Sequence, residues 1–422
     1  MTRARRSRAA GRPDARPAPA ARAAERGPGG VARVYLRTGV ETLRRGHPWV
    51  FRDADVQKLR ARTGDVVDVH DARDGAFVAR GVFDEETSLA IRLFTWKAGE
   101  DVDDALIVRR LDEAVALRER FVDRSRTTAY RVVNGEGDLL PGLVVDRYGD
   151  FLVVAPYAAF WLERLPRVAE HLAARLGVRG VEQKNRLRRI APDEPGEPTV
   201  GLLGEAVPEE LVVLEHGLRF LAHTRAGQKT GLFLDQKDNR LAVAAQCAGA
   251  RVLNTFSYTG GFSVYAARAG AAETVSVDLA KACAVYARQN FELNELGGER
   301  HRFVARDVFE YLADPADGAF DVVILDPPSF ATSRAQVFSA RKGYLELIRR
   351  ACTRTARGGI LVCCSCTAQI DTGTFAEIAA EATARAGRDY RVVEVRGLPA
   401  DHPTLPGHPE GRYLKVLIGV LE

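Results

Sequence analysis

The stretch RVLNTFSYTGGFSVYAARAGAAETVSVD, residues 251 to 278, decides the fold. It opens on a strand-like run, RVLNTF (251–256), turns at Gly260 and Gly261, takes helical spacing from Phe262 to Arg268 and closes on a second run, TVSVD (274–278). A strand, a glycine turn, a helix and another strand form a unit with parallel strands, because parallel neighbours need a crossover. The alternation continues with HRFVA (301–305), FDVVILD (320–326), GGILVCCS (358–365), YRVVEVR (390–396) and YLKVLIGVL (413–421). Further helices are predicted over 279–296, 341–355 and 374–386. Together these predict an α/β domain, Rossmann-like and doubly wound, around a seven-stranded, mostly parallel sheet.

In such sheets ligands bind beyond the carboxyl ends of the strands, so function is sought just after each run. Gly260 and Gly261 let the backbone turn tightly, and the helix that follows aims its first N–H groups at the same point. Asp278 ends the second strand 18 residues after Gly260, where a carboxylate can accept both hydroxyls of a ribose. Asp307, in ARDVF, ends the third strand and can face an adenine edge. Either acid alone could equally be a helix cap. Two acids at consecutive strand ends after a glycine turn point to a nucleoside-containing cofactor, either NAD or S-adenosylmethionine.

The run LDPPSF (325–330) separates those two. Asp326 follows the apolar strand VVIL, and Pro327 and Pro328 stiffen the chain so that the acid and the Ser329-Phe330 backbone lie beside the cofactor. Phe330 can stack on a base taken out of its helix, while Asp326 bonds the Watson–Crick edge of that base. A methyltransferase acting on a nucleobase needs such a loop and a dehydrogenase does not.

Three cysteines crowd GGILVCCSCTAQ (358–369). Cys363 and Cys364 sit within the apolar strand and read as small core residues. Cys366 falls at the strand's carboxyl end, in the layer of Asp326. C5 of cytosine is too poor a nucleophile to take a methyl group unaided; a thiolate adding at C6 converts the base into an enamine. By position Cys366 is either that nucleophile or an inert thiol. An ordinary cysteine pKa of about 8.5 leaves little thiolate at neutral pH, so a nucleophile here needs activation, in part through Asp326 acting on N3.

The rest of the chain bounds these readings. It has 422 residues, 46% of them apolar and 28% charged, which suits two or three globular domains. No apolar run reaches the roughly 20 residues of a membrane span and no secretory h-region opens the chain, so a cytoplasmic protein without membrane contact is expected. Six cysteines without a paired framework argue for reduced thiols, and without a second ligand pair no metal site is expected. Residues 1–30 hold eight arginines against Asp14 and Glu25, which leaves 53 basic against 54 acidic residues beyond them. The basicity is a tail, expected to be disordered, that can attract phosphate or merely solubilise.

Between Val31 and about residue 100 short β-like runs, VARVYL, DVVDVH, AFVARGVF and LAIRLF, predict a small β-barrel or sandwich. His47 and Trp49 flank Pro48 in RRGHPWVF, read as a structural turn with a core tryptophan. Helical spacing from Asp101 to Phe121 places Leu106, Val108, Leu111, Ala114, Leu117 and Phe121 near one face. A mixed α/β segment to about 220 reads as a connecting domain, with PDEPGEP (192–198) as an exposed loop. The expected organisation is therefore a tail over 1–30, a β domain over 31–100, a central α/β domain over 101–220 and the doubly wound domain over 221–422.

GQKTGLFLDQKDNR (227–240), VLNTFSYTGGFSV, SVDLAKACAVYARQNFELN, DPPSF, CSCT and the closing HPEGRYLK (408–415) together closely resemble the bacterial family of 23S ribosomal RNA large-subunit cytosine-C5 methyltransferases. LRRGHPWVF and the strands after it look like that family's PUA domain, a β-barrel that binds RNA. The resemblance runs from about Val31 to the end. It implies S-adenosylmethionine as cofactor and 23S ribosomal RNA as partner, and it leaves a homodimer open. Carried over, the nucleophile falls on Cys366, the catalytic-loop acid on Asp326 and the ribose acid on Asp278. The cofactor loop falls on Thr255 to Phe262, with Phe256, Ser257, Gly260 and Gly261 in it. Lys229, Thr230 and Asp235 resemble the family's segment bordering the cofactor site. Many other RNA cytosine-C5 methyltransferases carry a second cysteine in the DPP loop; here, as in this family, Ser329 stands there. The nearest alternatives are a purine-nitrogen methyltransferase and a non-catalytic RNA-binding assembly factor.

Overall fold

The computed structural model describes residues 30–185, 199–225, 227–331 and 336–422. The basic tail, apart from Gly30, and the loop 192–198 lie outside the described residues. The first sheet is built from β1 (Ala32–Leu36), β2 (Trp49–Phe51), β3 (Val66–Asp71), β4 (Phe77–Phe83) and β5 (Leu89–Thr95), ordered β1-β3-β4-β5-β2. Short helix α1 (Val40–Arg44) links β1 to β2, and alternating residues such as Val34, Val67, Val69, Ile91 and Leu93 bury one face.

Helix α2 (Asp104–Phe121) starts where the Asp103 side chain accepts from the Leu106 amide at 2.8 Å. Its buried face differs from the one the apolar spacing suggests. Leu106, Ile107, Leu111, Ala114 and Val115 point inward with Arg110 and Arg118, while Val108 and Phe121 are exposed. Arg118 turns the helix: its guanidinium bonds both Asp138 oxygens at 2.6 and 2.8 Å and the carbonyl of Asp401 at 2.7 Å. The second sheet follows, with β6 (Ala129–Asn134), β7 (Leu143–Tyr148), β8 (Phe151–Pro156), β9 (Gly180–Lys184) and β10 (Thr199–Gly204) in order β10-β9-β8-β7-β6, and α3 (Leu165–Leu176) crossing from β8 to β9. A hairpin of β11 (Leu211–Glu215) and β12 (Leu218–Ala222) leads to α4 (Lys237–Ala244).

The third sheet has seven strands: β13 (Arg251–Thr255), β14 (Glu273–Asp278), β15 (His301–Ala305), β16 (Phe320–Leu325), β17 (Thr355–Ser365), β18 (Tyr390–Arg396) and β19 (Lys415–Leu421). Their order is β15-β14-β13-β16-β17-β19-β18, parallel except for β19, which runs against both neighbours. Helices α5 (Gly261–Arg268), α6 (Lys281–Leu293), α7 (Val308–Ala313), α8 (Val337–Arg354) and α9 (Thr372–Arg385) supply the crossovers. The strand order reverses between β13 and β16, and a crevice opens there at the carboxyl ends.

The loop from 397 to 414, between β18 and β19, binds all three sheets together. Pro403 receives the Asn134 side chain at 2.9 Å, and a Cβ on Gly137 would collide with the Pro403 carbonyl. Trp49 packs edge-on against His408 at 4.3 Å between ring centres and donates to Glu136 at 2.8 Å. His47 meets Glu410 at 3.2 Å. Trp49 is therefore half-buried at a junction between domains rather than a core residue of the first sheet. Among the described residues no helix is long and apolar enough to cross a membrane.

Candidate active site

A cavity of about 520 Å3 occupies the crevice, within the roughly 300–1,000 Å3 of small-molecule sites. Phe256, Ser257, Gly261 and Phe262 line it from the loop after β13, Asp278 from the end of β14, Asp307 from beyond β15, Asp326, Pro327 and Pro328 from beyond β16, and Cys366 from beyond β17. Lys229 and Asp235 reach it from the segment before α4.

Backbone conformation brings the first loop into the cavity. Phe256 and Tyr258 have φ of 54° and 47°, left-handed values that a non-glycine residue adopts at a cost of about 1–3 kcal/mol, and Gly260 has φ of 77°. The loop is held by Asp278, whose two oxygens accept the amides of Tyr258 at 2.9 Å and Ala280 at 3.1 Å. Each carboxylate oxygen keeps acceptor capacity, which suits the paired hydroxyls of a ribose. Leu279, 73% exposed, and Val308 offer apolar surface nearby for a purine. Asp307 also caps α7, accepting the Glu310 amide at 3.0 Å. The residues present therefore fit a nucleoside cofactor.

Five sequence-derived residues lie elsewhere than at the cavity wall. Thr255 is fully buried and spends its hydroxyl on the Ile324 carbonyl at 2.8 Å. Thr230 is buried against the second sheet, its hydroxyl 2.5 Å from Asp146 and 2.8 Å from Tyr148. Ser329 bonds the Ala331 carbonyl at 2.7 Å. Phe330, expected to offer a face to a base, packs its ring 4.7 Å from Tyr344 and against Gly343. One side of the ring is thus packed on the core, and Phe330 is half-buried. Gly260 is also away from the wall; a Cβ there would press on Ala287 at 3.0 Å, so its place is the turn itself.

The electrostatics centre on Asp326 and Cys366. Burial, and then the nearby Asp235 carboxylate, push the Asp326 carboxyl up to about 6, against a bond from Gln236 at 2.9 Å that lowers it. Burial and then the Asp326 charge push the Cys366 thiol up to about 11, and its S–H points to the Pro327 carbonyl at 3.8 Å. Asp235 is the opposite case. Burial would raise it, yet Lys229 at 2.5 Å, with His402 and the Tyr413 hydroxyl at 2.8 Å, holds it well below the ordinary carboxylate range. Cys363 and Cys364 are core residues, each 1% exposed.

Several lining residues escape sequence reading: Gln236, Leu279 and Tyr413. Gln236 and Tyr413 stand inside LFLDQKDNR and HPEGRYLK, so the motifs marked the segments but not the side chains.

Residues 162–417 match a family model described as S-adenosylmethionine-dependent methyltransferase, and residues 36–96 match one for a PUA-like domain. The chain is similar to ribosomal RNA large subunit methyltransferase I of Aeromonas salmonicida, with 37% identity over 91% of this chain and 98% of the relative. It is similar to the protein of the same name from Escherichia coli O139:H28, with 36% identity over 91% and 98%. Among solved structures, one described as a methyltransferase complexed with SAH aligns with a TM-score of 0.81 at 27% identity, covering 92% of this chain and 99% of the other. A SAM-dependent methyltransferase from Streptococcus mutans aligns at 0.80 and 26%, with the same coverage.

Proposed function

This chain belongs to the S-adenosylmethionine-dependent ribosomal RNA large subunit methyltransferase I family, and we propose that it forms 5-methylcytidine in large-subunit ribosomal RNA through a covalent adduct between Cys366 and the base. The observation that carries this reading is the convergence of an accessible thiol and a carboxyl pushed up by burial, Cys366 and Asp326, on one cavity.

S-adenosylmethionine supplies a methyl group on a positively charged sulfur. Asp278 is read as the acid for its ribose, with Phe256, Ser257, Gly261, Phe262 and Asp307 around it, and Lys229 and Asp235 at the border of that site. The chain's own residues then act on the base. The proton of the Cys366 thiol passes to the Asp326 carboxylate and from there to N3, while the sulfur adds to C6 and breaks the C5=C6 π bond. C5 becomes electron-rich and takes the methyl group. Water takes the C5 proton as the C5=C6 double bond re-forms and the C–S bond breaks to return the thiolate, and N3 returns its proton to the Asp326 carboxylate. Gln236 holds Asp326 in place through this cycle.

In this reading residues 31–100 hold RNA as a PUA-like domain, 101–220 connect and 221–422 carry out transfer, in the cytoplasm where ribosomes are made. RNA carrying 5-fluorocytosine tests the adduct, because fluorine at C5 leaves no proton to remove. A protein–RNA adduct located on Cys366 by mass spectrometry is expected. No adduct, with methyl groups found instead on purine nitrogens, would replace this reading by nitrogen methylation.

A further inference from the structure

Lys415, the last residue of HPEGRYLK, opens β19 and is 1% exposed. Its ammonium donates to the carbonyls of Thr367 at 2.6 Å and Tyr413 at 2.8 Å. In the antiparallel register it stands opposite Ser365, so the side chain reaches along the turn Ser365-Cys366-Thr367. Among the described residues no carboxylate pairs with it directly. Asp371, the carboxylate acting on it, is engaged as the cap of α9, accepting the Thr374 amide at 2.8 Å. A buried cation held only by neutral carbonyls is costly, and burial draws Lys415 down to about 8. Such a group calls for an anion that is present only part of the time.

Cys366 is the candidate anion. Its ionisable surroundings are Asp326 and Asp235, which oppose a thiolate, Lys229 and Lys415, which favour it, and the neutral groups Tyr344, Tyr413 and Cys364. Lys229 is already bonded to Asp235 at 2.5 Å, which offsets its charge. Lys415 is the cation of this group without a carboxylate of its own. We propose that Lys415 is a positioning residue whose ammonium is the counter-charge of the Cys366 thiolate. The proposal deepens the reading of Cys366 as nucleophile, and its test reads ionisation without turnover.

Iodoacetamide alkylation of Cys366, located by peptide mass spectrometry, is followed from about pH 6 to 10 in wild type, Lys415→Met and Lys415→Arg, without RNA or cofactor. Cys283 also lines the cavity, so peptide mapping separates its signal from that of Cys366, and the other four cysteines are buried away from the cavity. Lys415→Met is expected to fold, to bind S-adenosylmethionine as wild type does, and to be alkylated about tenfold more slowly below the thiol pKa, a rise of about one unit. Lys415→Arg is expected to keep most of the wild-type rate. A Met variant with the wild-type profile overturns the proposal. So does a Met variant that fails to fold beside a normal Arg variant, since the charge would then serve the fold. Methyl transfer surviving Cys366→Ala would sink the nucleophile reading separately and leave the alkylation result standing.

Discussion

The amide of Gln236 donates to Oδ1 of Asp326 at 2.9 Å, and Gln236 is itself held by Asn239 at 2.7 Å, which Arg396 bonds at 3.1 Å. A chain of three side chains, from the residue before α4, from α4 and from β18, thus orients the carboxyl at the end of β16. Each link is a hydrogen bond in a low-dielectric setting, where loss of one partner is felt by the next.

The pH dependence of kcat/KM follows from this pair. The working state has one proton on Asp326 and none on Cys366, the same total as the resting state with the proton on sulfur. Activity should therefore rise through about pH 6, stay level and fall toward about 11. Because the Gln236 bond lowers the Asp326 pKa, Gln236→Leu should move the acid limb upward. A rate profile on ribosomal RNA checks this, and an unmoved acid limb in the variant counts against it.

Asp326→Asn separates repulsion from proton donation. The Asp326 charge raises the Cys366 thiol, so its removal should lower that pKa and speed Cys366 alkylation at pH about 8 several-fold. Methyl transfer should nevertheless fall by about 100-fold or more for want of the N3 proton. Alkylation and transfer falling together would contradict this division.

Strands β13, β14, β16 and β17 were readable because buried parallel strands leave nearly continuous apolar runs, and the same runs place Asp278, Asp326 and Cys366 at carboxyl ends. What surrounds those residues comes from packing between segments distant in sequence. Gln236 reaches Asp326 across 90 positions, and Tyr413 reaches Asp235 across 178. The α2 face misled because a buried arginine with carboxylate partners outweighs apolar spacing. Phe330 could not be read as packed, since Tyr344 comes to it from α8.

Asp278 and Asp307 should part under mutation. Asp278→Ala removes the carboxylate at the cavity and should weaken S-adenosylmethionine binding at least tenfold, measured by calorimetry. Asp307→Ala removes a helix cap and should cost about 1 kcal/mol of stability in addition to any effect on binding, measured by denaturation. Equal binding by Asp278→Ala and wild type would contradict the ribose assignment.

The measurement closest to the central claim is transfer of labelled methyl from S-adenosylmethionine to large-subunit ribosomal RNA by wild type and Cys366→Ala, with nucleoside analysis of the product. The account predicts 5-methylcytidine from the wild type and no transfer by the variant. A methylated purine, or full activity in Cys366→Ala, would contradict it.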